Sequence, residues 1–509
     1  MESLAEQTWD VVLHGTGLQQ SLLALALSRS GKQILHLDPN EYYGGPEAAF
    51  SLQEIEEWAA AHAAADDDAG CLSRVFSSAT VTKPDQAPES ESSLSFSRSY
   101  SLALAPQIIH TRSELVKQLV SSRAYRQIEF LAVGSFFIYT PPPNDSSDVS
   151  GGITPIPSTR EAVFSTTAIP ARAKRSLMKF LKFVFDYTSD EQRPTWTPYA
   201  ERPLSEFLVS EFKLDAALQM YIITLTLSLD GTISTKDGLA SIHRHLSSMG
   251  AFGPGFAAVY PKWGGLSEIA QVGCRACAVG GAVYMLGTGV KATRPCEAQE
   301  DGARFEVDLT NGVTVKSRTL VSGAENIAPE GQRVSRLTAV VNSPLSFLFQ
   351  AVVEGAPTPA VAVIAFPAGS IKEVASPHPI YVFAHSSEAG ECPSGQSVLY
   401  FVTPKTPVSA EALEKALSSL LAALSDGDKQ PQAIYKVAYQ QAHAAALTAS
   451  DESLVLPSLP LDLAFSDSAL GPVRDAWVKV MGAAADDPEV QYMKFEDREG
   501  VDAEDEVYE

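Results

Sequence analysis

The chain has 509 residues and a net charge of −23, with 38 Lys plus Arg against 61 Asp plus Glu. That balance excludes nucleic acid and an anionic membrane surface as general partners and favours basic ones. Five cysteines are too few, and odd in number, for a disulfide framework, and neither a signal peptide nor an uncharged apolar run of about 18 residues is found, so the chain reads as a cytoplasmic globular protein.

The first elements form a predicted βαβ unit. Trp9–Leu13 reads as a buried strand, Gly15-Thr16-Gly17 as a tight turn, Leu18–Ser30 as a helix and Gln33–Leu37 as a second strand ending at Asp38. Gly15 and Gly17 suit a turn that brings backbone to a pyrophosphate, and Asp38 stands where an acidic residue meets a ribose hydroxyl. The third glycine of that fingerprint is replaced by Gln20, whose bulk argues against a bound dinucleotide. The expectation is a flavoprotein-like α/β fold whose turn carries no FAD.

Phe50–Trp58 reads as a short helix, and 59–97 as a surface insertion or disordered segment with little to bury. Thr111, with Glu114 three residues on, is a plausible N-cap for a helix through Leu115, Leu119 and Val120. Ile128–Tyr139 reads as strand and 141–150 as loop. In helix Ala171–Tyr187, Leu177, Phe180, Leu181 and Val184 share one arc, Lys179 and Lys182 lie opposite, and Phe183 falls at the margin, where it could face solvent. Phe207–Leu229 is apolar nearly all round, as in a core helix or a wall of a greasy cavity.

A helix from Lys236 stops at Met249, and Ser267–Val279 forms another after the Tyr260 to Leu266 turn. Ala282–Leu286, Ala303–Leu309 and Val313–Val321 read as strands, the last two joined by an Asn311-Gly312 hairpin turn, and return to the sheet begun at Trp9. Strand-like runs at Phe349–Val353, Val361–Phe366, Tyr381–His385 and Val398–Thr403, with helix Ala410–Leu424, suggest a second sheet. Helix Val473–Met481 precedes a tail, 496–509, with eight acidic residues and one basic.

No catalytic constellation assembles. There is no GxSxG, HExxH or P-loop, and the nine histidines show no ligand spacing. Cys274 and Cys277 read as buried helix residues, and His14 and His36 as packed side chains. Tyr260 and Trp263 beside glycines fit either a site or a core.

Taken together, Gly15 to Leu18, Ser28 to Gly31, Leu35 to Asp38, Tyr42 to Gly45, Leu104 to Ile109 and Trp263 to Glu268 resemble the Rab escort protein and Rab GDP-dissociation inhibitor superfamily over positions 9 to about 325. The resemblance implies a GDI-like, FAD/NAD(P)-binding multi-sheet domain with a smaller all-helical insert and no catalysis of its own. Its expected domains are 1–111, with an insertion over 59–97; a helical domain at 112–228; a second segment of the first domain at 229–495; and an acidic flexible tail at 496–509.

The escort branch is the more similar. Ser28 to Gly31, the Phe50 to Trp58 stretch and the insertion after Trp58 match it, as does Lys179 to Phe183 followed by Arg193. The resemblance makes Phe183 and Arg193 the contacts to the α subunit of an α/β geranylgeranyltransferase type II heterodimer. Tyr43, Arg244, Tyr260 and Trp263 become a platform for GDP-bound Rab GTPases, although the family's Arg-Tyr-Gly element appears here as Ala251-Phe252-Gly253. Leu119, Leu177, Val184, Leu218, Ile222 and Leu225 become walls of a pocket for the geranylgeranyl lipid. The implied function is escort of Rab to prenylation and then to membranes, which the protein touches only transiently. A Rab GDP-dissociation inhibitor and an FAD-dependent oxidoreductase stay open as alternatives.

Overall fold

The computed structural model describes residues 2–64, 75–83, 94–142, 151–157, 163, 170–296, 302–324, 327, 331–425, 430–445 and 453–496. A five-stranded parallel sheet carries the βαβ unit, in the order Val283–Met285, Ile34–Leu37, Val11–His14, Leu320–Gly323 and Ser453–Leu456. Val11, Val12, Leu13, Leu35 and Leu37 have no exposed surface, as expected of parallel strands covered on both faces. Helix Leu18–Leu27 is buried along its whole length, Gln19 and Gln20 included. Helix Leu266–Val279 lies against it so closely that a Cβ at Gly273 would come 2.5 Å from the Ser21 carbonyl oxygen, and one at Gly280 1.9 Å from that of Ser28. Glycine at both places sets the helix separation.

The second sheet has ten strands, in the order Phe76–Thr82, Ala433–Ala442, Arg333–Val341, Ser397–Pro404, Ile380–Ser386, Val361–Phe366, Phe130–Thr140, Ala258–Pro261 and Ile109–His110, with Gly152–Pro155 paired to Phe130–Thr140. Its central strands are buried on both faces. Leu337, Val382 and Leu399 pack toward helix Ser409–Ala423 through Ala412 and Leu420, while Val340, Val363 and Phe383 pack toward Phe50, Trp58 and Leu102. A four-stranded sheet, Thr8–Trp9, Thr314–Ser317, Phe305–Leu309 and Val290–Pro295, caps one end. Gly312 turns its hairpin at φ +86, a conformation open to glycine.

The helices Ala171–Phe185, Leu204–Phe212, Ala216–Thr226 and Thr235–Ser248 share one apolar core around Phe180, Phe207, Leu218 and Leu239. The expected helix Phe207–Leu229 is two: Lys213 ends the first in the left-handed conformation, and Asp215 caps the second by accepting from the Leu218 N–H at 2.9 Å. The helical unit also begins later than 112. Residues 114–140 belong to the sheet-bearing body, where Leu115 and Leu119 pack with Leu22, Leu25 and Trp477. Sequence periodicity marks a helix but not the body to which it docks.

Three further expectations are corrected. Within 59–97, Phe76–Thr82 is an edge strand paired to Ala433–Ala442, and 65–74 and 84–93 lie outside the described residues, as does the acidic tail beyond Glu496. Ser113, accepting from the Leu115 N–H, caps helix Glu114–Ser121, while the Thr111 hydroxyl donates to the Ser248 carbonyl. The run Phe349–Val353 is no strand; Ser346–Phe349 is a 3₁₀ turn. Among the described residues, no helix is long and apolar enough to cross a membrane.

Candidate functional site

The dinucleotide turn keeps its backbone and has filled its interior. The Asp38 carboxylate accepts from both the Thr16 N–H and the Thr16 hydroxyl at 2.7 Å, and from the Asn40 N–H at 2.8 Å. It is thereby committed to holding the turn. At the N-terminus of helix Leu18–Leu27, where a pyrophosphate would meet free N–H groups, the Glu47 carboxylate accepts from the Leu18 N–H at 2.9 Å. Burial pushes Glu47 up to about 7, against the pull of that hydrogen bond. The Gln20 side chain lies over Gly15 and Gly17, and its amide nitrogen would stand 2.6 Å from a Cβ at Gly323. What is left is a cavity of about 190 Å³, below the ~300–1,000 Å³ of pockets that enclose a drug-sized ligand. These residues do not fit a dinucleotide: one anion already sits on the helix N-terminus, and an amide fills the approach.

His36 is buried with its Nε2 2.7 Å from the Gly15 carbonyl oxygen, and burial pulls it down to about 4. Cys274 and Cys277 are buried on helix Leu266–Val279, and burial raises both thiols. Among the described residues no group of His, Cys, Asp and Glu is arranged to hold a metal.

A second site is built around Trp263. This side chain is 53% exposed, on a backbone at φ +73 that non-glycine residues rarely adopt. Gly264 and Gly265 continue the positive φ run, and a Cβ on them would come 2.4 Å from the Ala49 Cβ and 2.6 Å from the Tyr260 Oη. The indole rests on Gly390, where a Cβ would stand 2.4 Å from the ring. The Trp263 N–H donates to the Ala389 carbonyl at 2.9 Å, and the Lys262 ammonium lies 5.0 Å from the ring centroid.

Beneath this surface, Glu391 is fully buried. It accepts from the hydroxyls of Tyr260 and Tyr400 at 2.8 Å and pairs with His385 Nδ1 at 2.7 Å. Burial beside Glu391 pushes both phenols up. Tyr260 therefore cannot meet a partner, contrary to its expected place on the platform; its ring is fixed from behind, and Trp263 is the surface residue. Glu391 and Gly390 escaped sequence reasoning because they lie far along the chain from Tyr260 and carry no motif.

The other expected platform residues are set elsewhere. Tyr43 is half-buried with its ring 6.3 Å from that of Tyr284. Arg244 faces a cleft of about 790 Å³ between the helical unit and the sheet body, lined also by Ser234, Asp237, Gln332, Asp462 and Ser466. Burial lowers its guanidinium, Asp467 and Asp462 oppose that, and one nitrogen donates to the Phe465 carbonyl at 3.4 Å. The fold thus brings Tyr260 and Trp263 together and gives Tyr43 and Arg244 other neighbours.

In the helical unit, Phe183 is 7% exposed and packs on Phe207 and Phe212 at ring separations of 5.7 and 5.3 Å. Its expected solvent-facing position is corrected: helix Leu204–Phe212 sits on the flank that the wheel left open, so the buried stripe is Leu177, Phe180, Phe183 and Val184. Phe185, two residues on, is 57% exposed. Arg193 is exposed at a helix start, with Asp190 at 3.7 Å. Leu177, Val184, Leu218 and Ile222 are all buried in one closed helical core. Leu119 belongs to the core beside the parallel sheet and Leu225 to that beneath the larger sheet, so neither lines that core.

A sequence profile of the GDP dissociation inhibitor family matches residues 5–437. The chain belongs to the GDP dissociation inhibitor family. Among curated members and relatives, a Saccharomyces cerevisiae protein named Rab proteins geranylgeranyltransferase component A is 29% identical over 84% of this chain and 68% of its own length. The Candida albicans protein of the same name is 30% identical over 81% of this chain and 62% of its own. Rab escort protein 1 of Arabidopsis thaliana is 27% identical over 62% of this chain and 60% of its own. In fold, the chain is similar to a Rab GDI from Plasmodium falciparum, with a TM-score of 0.65 at 20% identity over 94% of this chain and 98% of that one. It is also similar to an oxidoreductase from Methanosarcina mazei, with a TM-score of 0.56 at 12% identity over 92% of this chain and 99% of that one. The GDI-family chain thus shares the fold of these structures, with Gln20 and Glu47 filling the glycine turn of its parallel sheet.

Proposed function

We propose that this chain is a Rab escort protein, the non-catalytic component that presents GDP-bound, unprenylated Rab GTPases to a heterodimeric geranylgeranyltransferase and then carries the prenylated product to membranes. The observation that carries the reading is its similarity, over most of its length, to proteins named Rab geranylgeranyltransferase component A. In this reading Trp263 and Tyr43 meet the GTPase, Arg244 contributes from the cleft, and Tyr260 with Glu391 holds the Trp263 turn in shape. Arg193 and the exposed Phe185, in place of the buried Phe183, form the transferase contact. Leu177, Val184, Leu218 and Ile222 become lipid walls when the helices part.

The energetic reason for an escort is the prenyl chain. Twenty carbons at about 0.8 kcal/mol per CH₂ carry on the order of 10 kcal/mol of unfavourable exposure to water. In this reading no cofactor takes part, which is supported by Glu47 on the Leu18 N–H and Gln20 over the glycine turn; purified protein should show no flavin absorbance. The protein would work in the cytoplasm and meet membranes only through its cargo.

The deciding experiment is geranylgeranyl transfer to an unprenylated Rab by purified transferase, with and without this protein. Transfer that requires it is the expected result. The family profile also covers GDP dissociation inhibitors, and that second reading predicts extraction of prenylated Rab from membranes without support of transfer.

A further inference from the structure

Helix Ala171–Phe185 carries five basic residues, Arg172, Lys174, Arg175, Lys179 and Lys182, and no acidic one, in a chain of net charge −23. At about 100° per residue, Arg172, Arg175, Lys179 and Lys182 fall within an arc of roughly 80° and span about 15 Å along the axis. All four are exposed, on the flank turned away from the buried Leu177, Phe180 and Val184. Among the described residues, no ion pair holds Arg172, Arg175 or Lys182, and the Lys179 ammonium lies 5.5 Å from the Phe212 ring centroid. The stripe stops at Asp186.

Helix stability does not account for this face. Arg172 and Arg175 stand near the positive end of the helix dipole, where cations are unfavourable, and the first turn has no acidic residue to offset them. An acidic protein fits poorly as well. Protein interfaces are depleted of Lys and anchored by buried aromatics, whereas this arc presents four long-stemmed cations with no apolar side chain among them.

We propose that the stripe docks the chain on an anionic membrane leaflet, with its four cations among the lipid headgroups. The inference rests on the escort reading only for the reason that the protein meets a membrane. The net negative charge of the chain does not oppose the contact at close range, because exposed charges more than about 8 Å away are screened at physiological salt. Each cation at an anionic leaflet gives roughly a fivefold gain in binding, so a pair carries about 25-fold.

The full chain, without Rab or transferase, is sedimented with vesicles of phosphatidylcholine alone or with about 30% phosphatidylserine. The variant R175Q/K182Q is compared with K291Q/R294Q, which removes the same charge from the exposed strand Val290–Pro295. The parent and the strand variant should bind anionic vesicles alike, and the helix variant roughly 25-fold more weakly. High salt should release the parent, and neutral vesicles should bind none of the three. R172Q/K179Q should show the same loss, so the test holds if the first helix variant fails to fold. Equal binding by the helix and strand variants, or a parent indifferent to phosphatidylserine, would overturn the proposal. Loss of transferase capture by R175Q/K182Q with vesicle binding intact would assign the stripe to an acidic protein and overturn it too. Failure in vesicles alone leaves the geranylgeranyl-transfer result, and with it the escort reading, unchanged.

Discussion

Replacing Glu47 with Gln tests whether the buried carboxylate at the N-terminus of helix Leu18–Leu27 strains the fold. Burial lifts its pKa from 4.5 to about 7. A carboxyl so raised binds its proton more tightly in the native state, so its contribution to stability is complete below about 4.5 and is lost as pH rises through about 7. At about 1.4 kcal/mol per pH unit, the charged form costs the fold roughly 3 kcal/mol by pH 8. Gln retains an oxygen for the Leu18 N–H and removes the titration. Urea unfolding of both proteins, followed by tryptophan fluorescence, should show the advantage of E47Q growing by about 2–3 kcal/mol between pH 5 and pH 8. The buried His36 is common to both and cancels. A difference that does not change with pH, or one that shrinks as pH rises, would refute the reasoning.

Trp263→Ala removes an exposed aromatic and should weaken GTPase binding roughly 10- to 100-fold with no change in Tm, as titration calorimetry and thermal melting would report. Phe183→Ala opens a cavity in the helical core and should cost about 3–5 kcal/mol; Phe185→Ala should leave stability within about 0.5 kcal/mol and weaken transferase binding instead. Pull-down with purified transferase beside a melting curve separates the two. Glu391→Ala strands two buried phenols and His385, and should lower stability by about 3–5 kcal/mol, whereas Glu391→Gln, which keeps an acceptor, should lose less. If E391A melts with the parent, the buried carboxylate does not hold the Trp263 turn.

The βαβ unit was legible because its signals are local. Alternating apolar runs, two glycines and an acidic residue at fixed spacing need no knowledge of distant contacts. Gln20 likewise marked, from a single position, a turn that departs from the dinucleotide fingerprint. Glu47, which accepts from the Leu18 N–H beside Gln20, reads as an ordinary surface glutamate in sequence. Only the turn at Gly44 and Gly45, both at positive φ, carries it back to the Leu18 N–H. The error at Phe183 has the same origin. A helical wheel ranks faces by the helix's own residues, while burial is decided by the neighbour, here Phe207 and Phe212. Edge strand Phe76–Thr82 was missed because a polar, half-exposed strand looks like a loop until its partner Ala433–Ala442, more than 350 residues away, is known.

The two sites share a physical logic. In each, a buried carboxylate takes hydrogen bonds from groups that would otherwise be unsatisfied: Glu47 from a helix N-terminus, Glu391 from two phenols and an imidazole. The first occupies an N–H at the start of helix Leu18–Leu27. The second holds a strained turn whose Trp263 faces outward. In the proposed escort, a filled glycine turn keeps the parallel sheet tight and a rigid Trp263 turn is ordered before a partner arrives. Preorganisation of this kind predicts that weakening Glu391 costs GTPase affinity through a less ordered Trp263 turn, with E391Q falling between the parent and E391A in both binding and Tm.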